Sequence, residues 1–125
     1  MANPNIVNVA AIYGNTSTTS LTTTSATSIV SNASASGKVY KINSIVVANI
    51  DGTNAADITI NIYSAAALGG TATAIASTIS VPADATLIVT DKTTSFYLLE
   101  DKSIGATASA ANDIVVTISW EEINS

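Results

Sequence analysis

The stretch from Val39 to Tyr63, VYKINSIVVANIDGTNAADITINIY, decides the fold. In its second half Ile58, Ile60 and Ile62 alternate with Thr59, Asn61 and Tyr63. Successive side chains leave a strand on opposite sides, so this period of two predicts a strand with one buried and one wet face. The first half is richer in β-branched residues. Tyr40, Ile42, Val46 and Ile50 share one face, and Val39, Ile45 and Val47 share the other. A strand apolar on both faces belongs in the centre of a sheet, or has its outer face covered by a partner. Between the halves, Asp51-Gly52-Thr53-Asn54 supplies residues that tolerate turn backbone, in a loop longer than a two-residue hairpin.

Working outward, Ile6 to Tyr13 reads as a first strand, stopped by Gly14-Asn15. Thr16 to Ser28 is almost all Thr and Ser and is expected to be extended, since Thr suits strands. Asn32 to Gly37 is a loop of small residues, and Ala65 to Gly70 is a second loop. Thr71 to Val81 resumes alternation, with Ile75, Ile79 and Val81 on one face, until Pro82 ends the ladder. Short strands follow at Thr86–Thr90, Ser95–Leu99 and Ser103–Ser109, the last weak and Ala-rich around Gly105. Ile114, Val116, Ile118 and Trp120 then alternate in a closing strand. About nine short strands and no capped helical period predict a single all-β domain over residues 1–125. The architecture expected is an antiparallel β-sandwich of jelly-roll kind.

Composition narrows the chemistry. Apolar residues make up 47% of the 125 positions but aromatics only 5%, so the core must be built from Ile, Val, Leu and Ala. Charged residues are 10%, far below the usual quarter, which suits a protein held among neighbours in an assembly. Four lysines against nine acids, a net charge of −5, argue against nucleic acid and against a polybasic membrane contact. The start lacks the basic end and apolar run of a signal peptide.

The chain has no His, no Cys and no Arg. That removes most nucleophile–base pairs, His-containing metal sites and disulfides, and predicts no catalytic residue, no cofactor and no metal. Asp51 to Asp57 offers oxygen atoms but lacks the spacing and terminal Glu of a calcium loop, so a turn with side-chain-to-backbone bonds is expected instead. Glu100-Asp101 and Glu121-Glu122 are neighbours on extended chain, where adjacent side chains diverge, so neither forms an acid pair. Trp120 shares the face of Val116 and Ile118 and is expected to be packed. Tyr63 falls on the polar face of its strand and is expected to be an exposed contact residue. Asn15-Thr16-Ser17 and Asn32-Ala33-Ser34 match the glycosylation pattern, as chance allows in a chain so rich in these residues.

Four segments carry a family resemblance: MANPNIVNVAAIYGNT at the start, SGKVYKINSIVVANIDGTNAADITINIY in the centre, ASTISVPADATLIV, and FYLLEDKSIGATASAANDIVVTISWEEI at the close. They span nearly the whole chain, which resembles small virion structural proteins of tailed marine phages of the cyanophage type. The resemblance implies a non-enzymatic component of the particle. Within that class the expectation is a capsid decoration, or cement, protein. It would be made in the host cytoplasm, form a homotrimer, and bind the major capsid protein on the outside of the expanded head. The expected partner-facing segment is the N-terminal arm, Met1, Ala2, Asn3, Pro4, Asn5, Ile6, Val7 and Asn8. The alternative is a tail, neck, baseplate or glycan-binding fibre-tip component, for which exposed aromatics around a concave site are the signature.

Overall fold

The structure is a computed structural model and describes residues 4–124. Nine strands follow in order: β1 (Ala11–Ser20), β2 (Thr27–Asn32), β3 (Lys38–Asn49), β4 (Ala56–Ala65), β5 (Gly69–Val81), β6 (Thr86–Thr90), β7 (Phe96–Leu98), β8 (Lys102–Ala108) and β9 (Ile114–Asn124). A single 3₁₀ turn, Lys92–Thr94, is capped by the side chain of Asp91. One sheet has the order β1-β9-β3-β6 with β7 also on β3, and the other β2-β8-β4-β5. Every pairing is antiparallel. The chain therefore changes sheet at most connections, giving the jelly-roll order expected from the sequence. β6 and β7 lie end to end along β3, against Ile45–Ala48 and Tyr40–Ile42, so they act as one edge strand broken by the 3₁₀ turn.

The core is aliphatic, as so few aromatic residues require. Ile42, Ile45 and Val47 of β3 and Ile114, Val116 and Ile118 of β9 face Ile58 and Ile60 of β4 and Ile104, Ala106 and Ala108 of β8. Each fully buried Ile contributes roughly 1.5–3 kcal/mol relative to exposure. Two asparagines are buried with them, Asn32 and Asn49.

β3 is central, as its sequence predicts, but its faces are not those of a simple alternation. Ile42 pairs with Trp120 and Ser44 with Ser119, so two steps on β3 match one on β9. This bulge at Asn43 resets the parity of the strand, because one extra residue turns every later side chain to the other face. Ile42 and Ile45 consequently both point into the core, each fully buried, while Ile50 is exposed. Val46 and Ile50 thus do not share the face of Ile42.

Other boundaries also shift. Residues 6–8 form a turn, and the first strand runs through Ser20, well past Gly14-Asn15. The Thr/Ser tract is extended at 16–20 and 27–28 but turns between them around buried Leu21. Ile62 is only half-buried, at the end of the sandwich. β5 carries three register irregularities against β4, and Thr78 within it has a φ of 50°. Ile75 and Ile79 therefore do not form one buried stripe; both are exposed. β8 is no weak strand: five of its seven residues are buried, because small side chains let it run through the centre of its sheet.

Candidate functional site

The N-terminal arm lies against the outer face of the five-stranded sheet. Pro4 is buried, and with Ile6 it lines a small apolar hollow completed by Val39, Tyr97 and Leu99. Beneath it Val39 is 3% exposed, although it points away from the core, and Ile123 beside it in the ladder is 5% exposed. The outer face of β3 is thus covered by the chain's own arm at this end. The side-chain oxygen of Asn5 accepts from the Val7 N–H at 3.0 Å, and the Asn8 N–H donates to the Asn5 carbonyl at 3.1 Å. An Asn is well suited to this turn because its side chain mimics a backbone carbonyl. The turn projects Val7, 91% exposed, with Ile6 half outward at 52%. Of the arm residues expected to face a partner, Pro4 holds the arm down, Asn5 and Asn8 shape the turn, and Ile6 and Val7 are presented. Met1, Ala2 and Asn3 lie outside the described residues.

Tyr63 is on the outer face of the other sheet, so the structure does not bring it together with the arm. It is half-buried, and its position depends on Gly105 of β8. A methyl group at Gly105 would stand 2.8 Å from the Tyr63 ring and 2.8 Å from Leu68. The absence of a side chain lets both lie across the sheet. Leu68 belongs to a short turn, Ala66 to Leu68, that folds over β8. Its main-chain N–H groups donate to Asp101 Oδ1 (3.1 Å), Ser31 Oγ (3.0 Å) and Ser103 Oγ (2.9 Å) in turn. The Lys102 ammonium donates to the Ser64 carbonyl at 3.0 Å. Tyr63, Ile62, Ser64, Thr71, Thr73 and Lys102 surround a shallow hollow. Sequence parity was enough to place Tyr63 outward, but nothing in the sequence pointed to Gly105 as its support.

The remaining candidates resolve into structural roles. Asp51 Oδ1 accepts from the Thr53 N–H at 2.9 Å and Oδ2 from the Asn54 amide at 3.4 Å, as expected of a turn. These bonds hold the Asp51 carboxyl below its ordinary value, the Thr53 N–H most of all. Glu122 pairs with Lys38 at 3.4 Å. Tyr40 stands beside this pair, its ring 6.1 Å from Trp120, and its hydroxyl titrates above its usual range, chiefly through burial and then through the Glu122 charge. Among the described residues no three His, Cys, Asp or Glu side chains gather as a metal site. Asn32, in one of the two glycosylation patterns, is fully buried and its amide is engaged. Asn15, in the other, is half-buried, with its amide on the Tyr13 carbonyl.

A feature that composition alone does not show is where the charges fall. β3, β4, β8 and β9 carry all the charged strand residues: Lys38, Lys41, Asp57, Lys102, Glu121 and Glu122. The strands at the sheet edges, β1, β2, β5, β6 and β7, carry none. Natural sheets usually place charge at the edges to deter pairing with other chains, and this one does the reverse.

No protein-family model matches the chain, and no curated protein does. A solved chain described as "Bacillus endospore appendages form a novel family of disulfide-linked pili" superposes with a TM-score of 0.54. The match covers 91% of this chain and 89% of that one at 19% identity, a likeness of fold. The disulfide linkage of those pili has no counterpart here, since this chain has no cysteine.

Proposed function

We propose that the protein is a non-enzymatic structural subunit of a virion, a decoration protein that binds the outer surface of the expanded head and bridges major capsid subunits. The observation that carries this reading is the Val7 knob. An apolar side chain at 91% exposure, on a turn shaped by Asn5 and seated on the sandwich by Pro4, is built to enter a pocket on another protein. The resemblance of the sequence to small phage virion proteins supplies the particle. The action is passive: many copies, each touching more than one capsid subunit, raise the free energy needed to part them.

The test adds purified protein to expanded heads that lack it, and to the compact precursor. Binding is expected on expanded heads alone, with Val7→Asp lowering occupancy while the melting temperature of the free protein stays the same. Salt should weaken it little, because Lys38, Lys41, Lys92 and Lys102 are the only cationic side chains. Equal binding to precursor heads, or labelling confined to tails, would replace this reading with the tail-component one. That second reading draws on the hollow beside Tyr63, where an aromatic ring, hydroxyls and Lys102 surround a concave surface of the kind that takes sugars.

A further inference from the structure

We infer that the free edge of β1 is an interface at which a second copy of this chain adds its own β1, antiparallel and about a two-fold axis. The inference stands on the edge itself and does not depend on the virion reading.

β1 pairs with β9 on one side and, among the described residues, has no strand on the other. Its register runs without a break from Ala11 opposite Asn124 to Ser20 opposite Val115, ten consecutive pairs. On the free side, alternate residues present main-chain N–H and C=O groups along this whole length. The devices that normally blunt such an edge are all missing from β1, which has no charge, no Pro and no bulge. Gly14 adds a second observation. A methyl group there would meet nothing within 4 Å, and its φ is not positive, so neither crowding nor turn geometry inside the chain accounts for it. Gly within a strand is often found where another backbone comes close.

The identity of the occupant follows from the other edges. A straight ten-residue edge needs an equally unbroken partner. β2 and β6 have a register break each, and β5 has three with a left-handed Thr78. Among the described residues, the edge that matches β1 is β1. Residues opposite one another in an antiparallel pair share a face. A two-fold axis perpendicular to the sheet therefore passes between the two copies of one residue near the strand's middle, Asn15 or Thr16, and keeps both cores on the same side. The five-stranded sheet becomes continuous across the pair, with no charged side chain on either adjoining strand to oppose it. A two-fold pair of this kind gives a dimer, in place of the trimer expected from the sequence.

Sedimentation equilibrium of the full chain tests this, with the double variant Thr16→Lys/Thr18→Lys. Both residues are exposed, so the monomer keeps its fold, while position 16 meets its own copy across the axis, directly if Thr16 is the self-paired residue and diagonally if Asn15 is, and like charges there repel. The wild-type chain should sediment as a dimer at tens of micromolar. The Lys variant should dissociate about tenfold more readily or worse, and an equal mixture with Thr16→Glu/Thr18→Glu should restore the dimer. Amide exchange should show the β1 N–H groups that point away from β9 protected in the wild-type dimer and unprotected on dilution, while those bonded to β9 stay protected throughout. A monomer at all concentrations, a trimer, or a dimer broken by Ile75→Lys on β5 and untouched by the β1 variant would each overturn the inference.

Discussion

Asn32 and Asn49 sit at opposite ends of β3 and make the same set of bonds. The Asn32 amide donates to the carbonyls of Lys38 and Leu98, at 3.0 and 3.2 Å, and its oxygen accepts from Ser36 Oγ at 2.6 Å. The Asn49 amide donates to the carbonyls of Asn54 and Val81, both at 2.9 Å, and its oxygen accepts from the Asp51 N–H at 3.0 Å. Each side chain thereby ties one sheet to the other where the ladder stops and main-chain carbonyls would otherwise be buried without donors.

Replacing Asn49 by Leu should cost about 2–4 kcal/mol, since it leaves buried carbonyl oxygens with no donor. Asn32→Leu should cost a similar amount. The two sites are separated by most of β3, so the double variant should lose about the sum, within roughly 0.5 kcal/mol. Urea melts of the three variants check this, and a loss below that margin for either single variant would mean that water replaces the amide.

Ile60→Ala should lower stability by about 2–5 kcal/mol, because Ile60 is wholly buried between the sheets. Ile88→Ala, at a position 61% exposed, should change it by less than about 0.5 kcal/mol. Equal losses at the two sites would contradict the assignment of the core.

Gly105→Ala should destabilise the protein by about 1–3 kcal/mol, since the added methyl displaces the Tyr63 ring and Leu68 together. With Tyr63→Ala and Leu68→Ala already present the penalty should vanish. Calorimetry on the wild type, Gly105→Ala, the truncated background and the truncated background with Gly105→Ala reads the coupling, and a penalty that persists in the truncated background would place the strain in the backbone of β8.

The pH profile should have an acid and an alkaline limb. Asp51 and Asp91 are held below the ordinary 3.8 by hydrogen bonds, chiefly from Thr53 and from Thr93. A carboxyl lowered on folding adds stability that is fully present above 3.8 and is lost as pH falls through its folded value. Tyr40 is raised above 10.0, so its contribution is complete below that pH and is lost as pH rises through its folded value. Melting temperatures across pH should fall at both ends. Tyr40→Phe should flatten the alkaline limb and Asp51→Ala the acid one; limbs unchanged in both variants would remove these groups as the cause.

What was legible in the sequence follows from what the pattern reports. The alternation of Ile58, Ile60 and Thr59 and of Ile114, Val116 and Ile118 records burial directly, so β4 and β9 were readable at once. β3 was readable as central but not in its faces, because the bulge at Asn43 leaves no mark of its own in a run of β-branched residues. β1 was half hidden, since an edge strand with little to bury has no apolar stripe to show. Asn32 reads as a loop residue and Asn49 as one more position of a strand, because nothing in the sequence marks an Asn side chain that bridges buried carbonyls. Of the candidate site, Tyr63 is placed outward by strand parity, while Val7 is included only as part of the arm expected to meet a partner and as an apolar residue of a first strand. The seat of the arm over Val39 and the support of Tyr63 by Gly105 needed the third dimension.

The direction in which the molecule can bear a load also follows from its ladder. Ala11 and Asn124 lie opposite each other at one end of β1 and β9, and the Ala10 N–H donates to the Asn124 carbonyl at 2.9 Å. Tension applied between these two points would part the strands like a zipper, one bond at a time and at low force. Tension between the N-terminal arm and the Asp51–Asn54 loop at the far end of β3 would instead run along the strands, so that the bonds from β1 through β9 to β3 resist in shear, all together. A subunit fastened to its surroundings at the arm and at that distant loop would therefore be stiff, while the same subunit pulled at Ala11 and Asn124 would peel open.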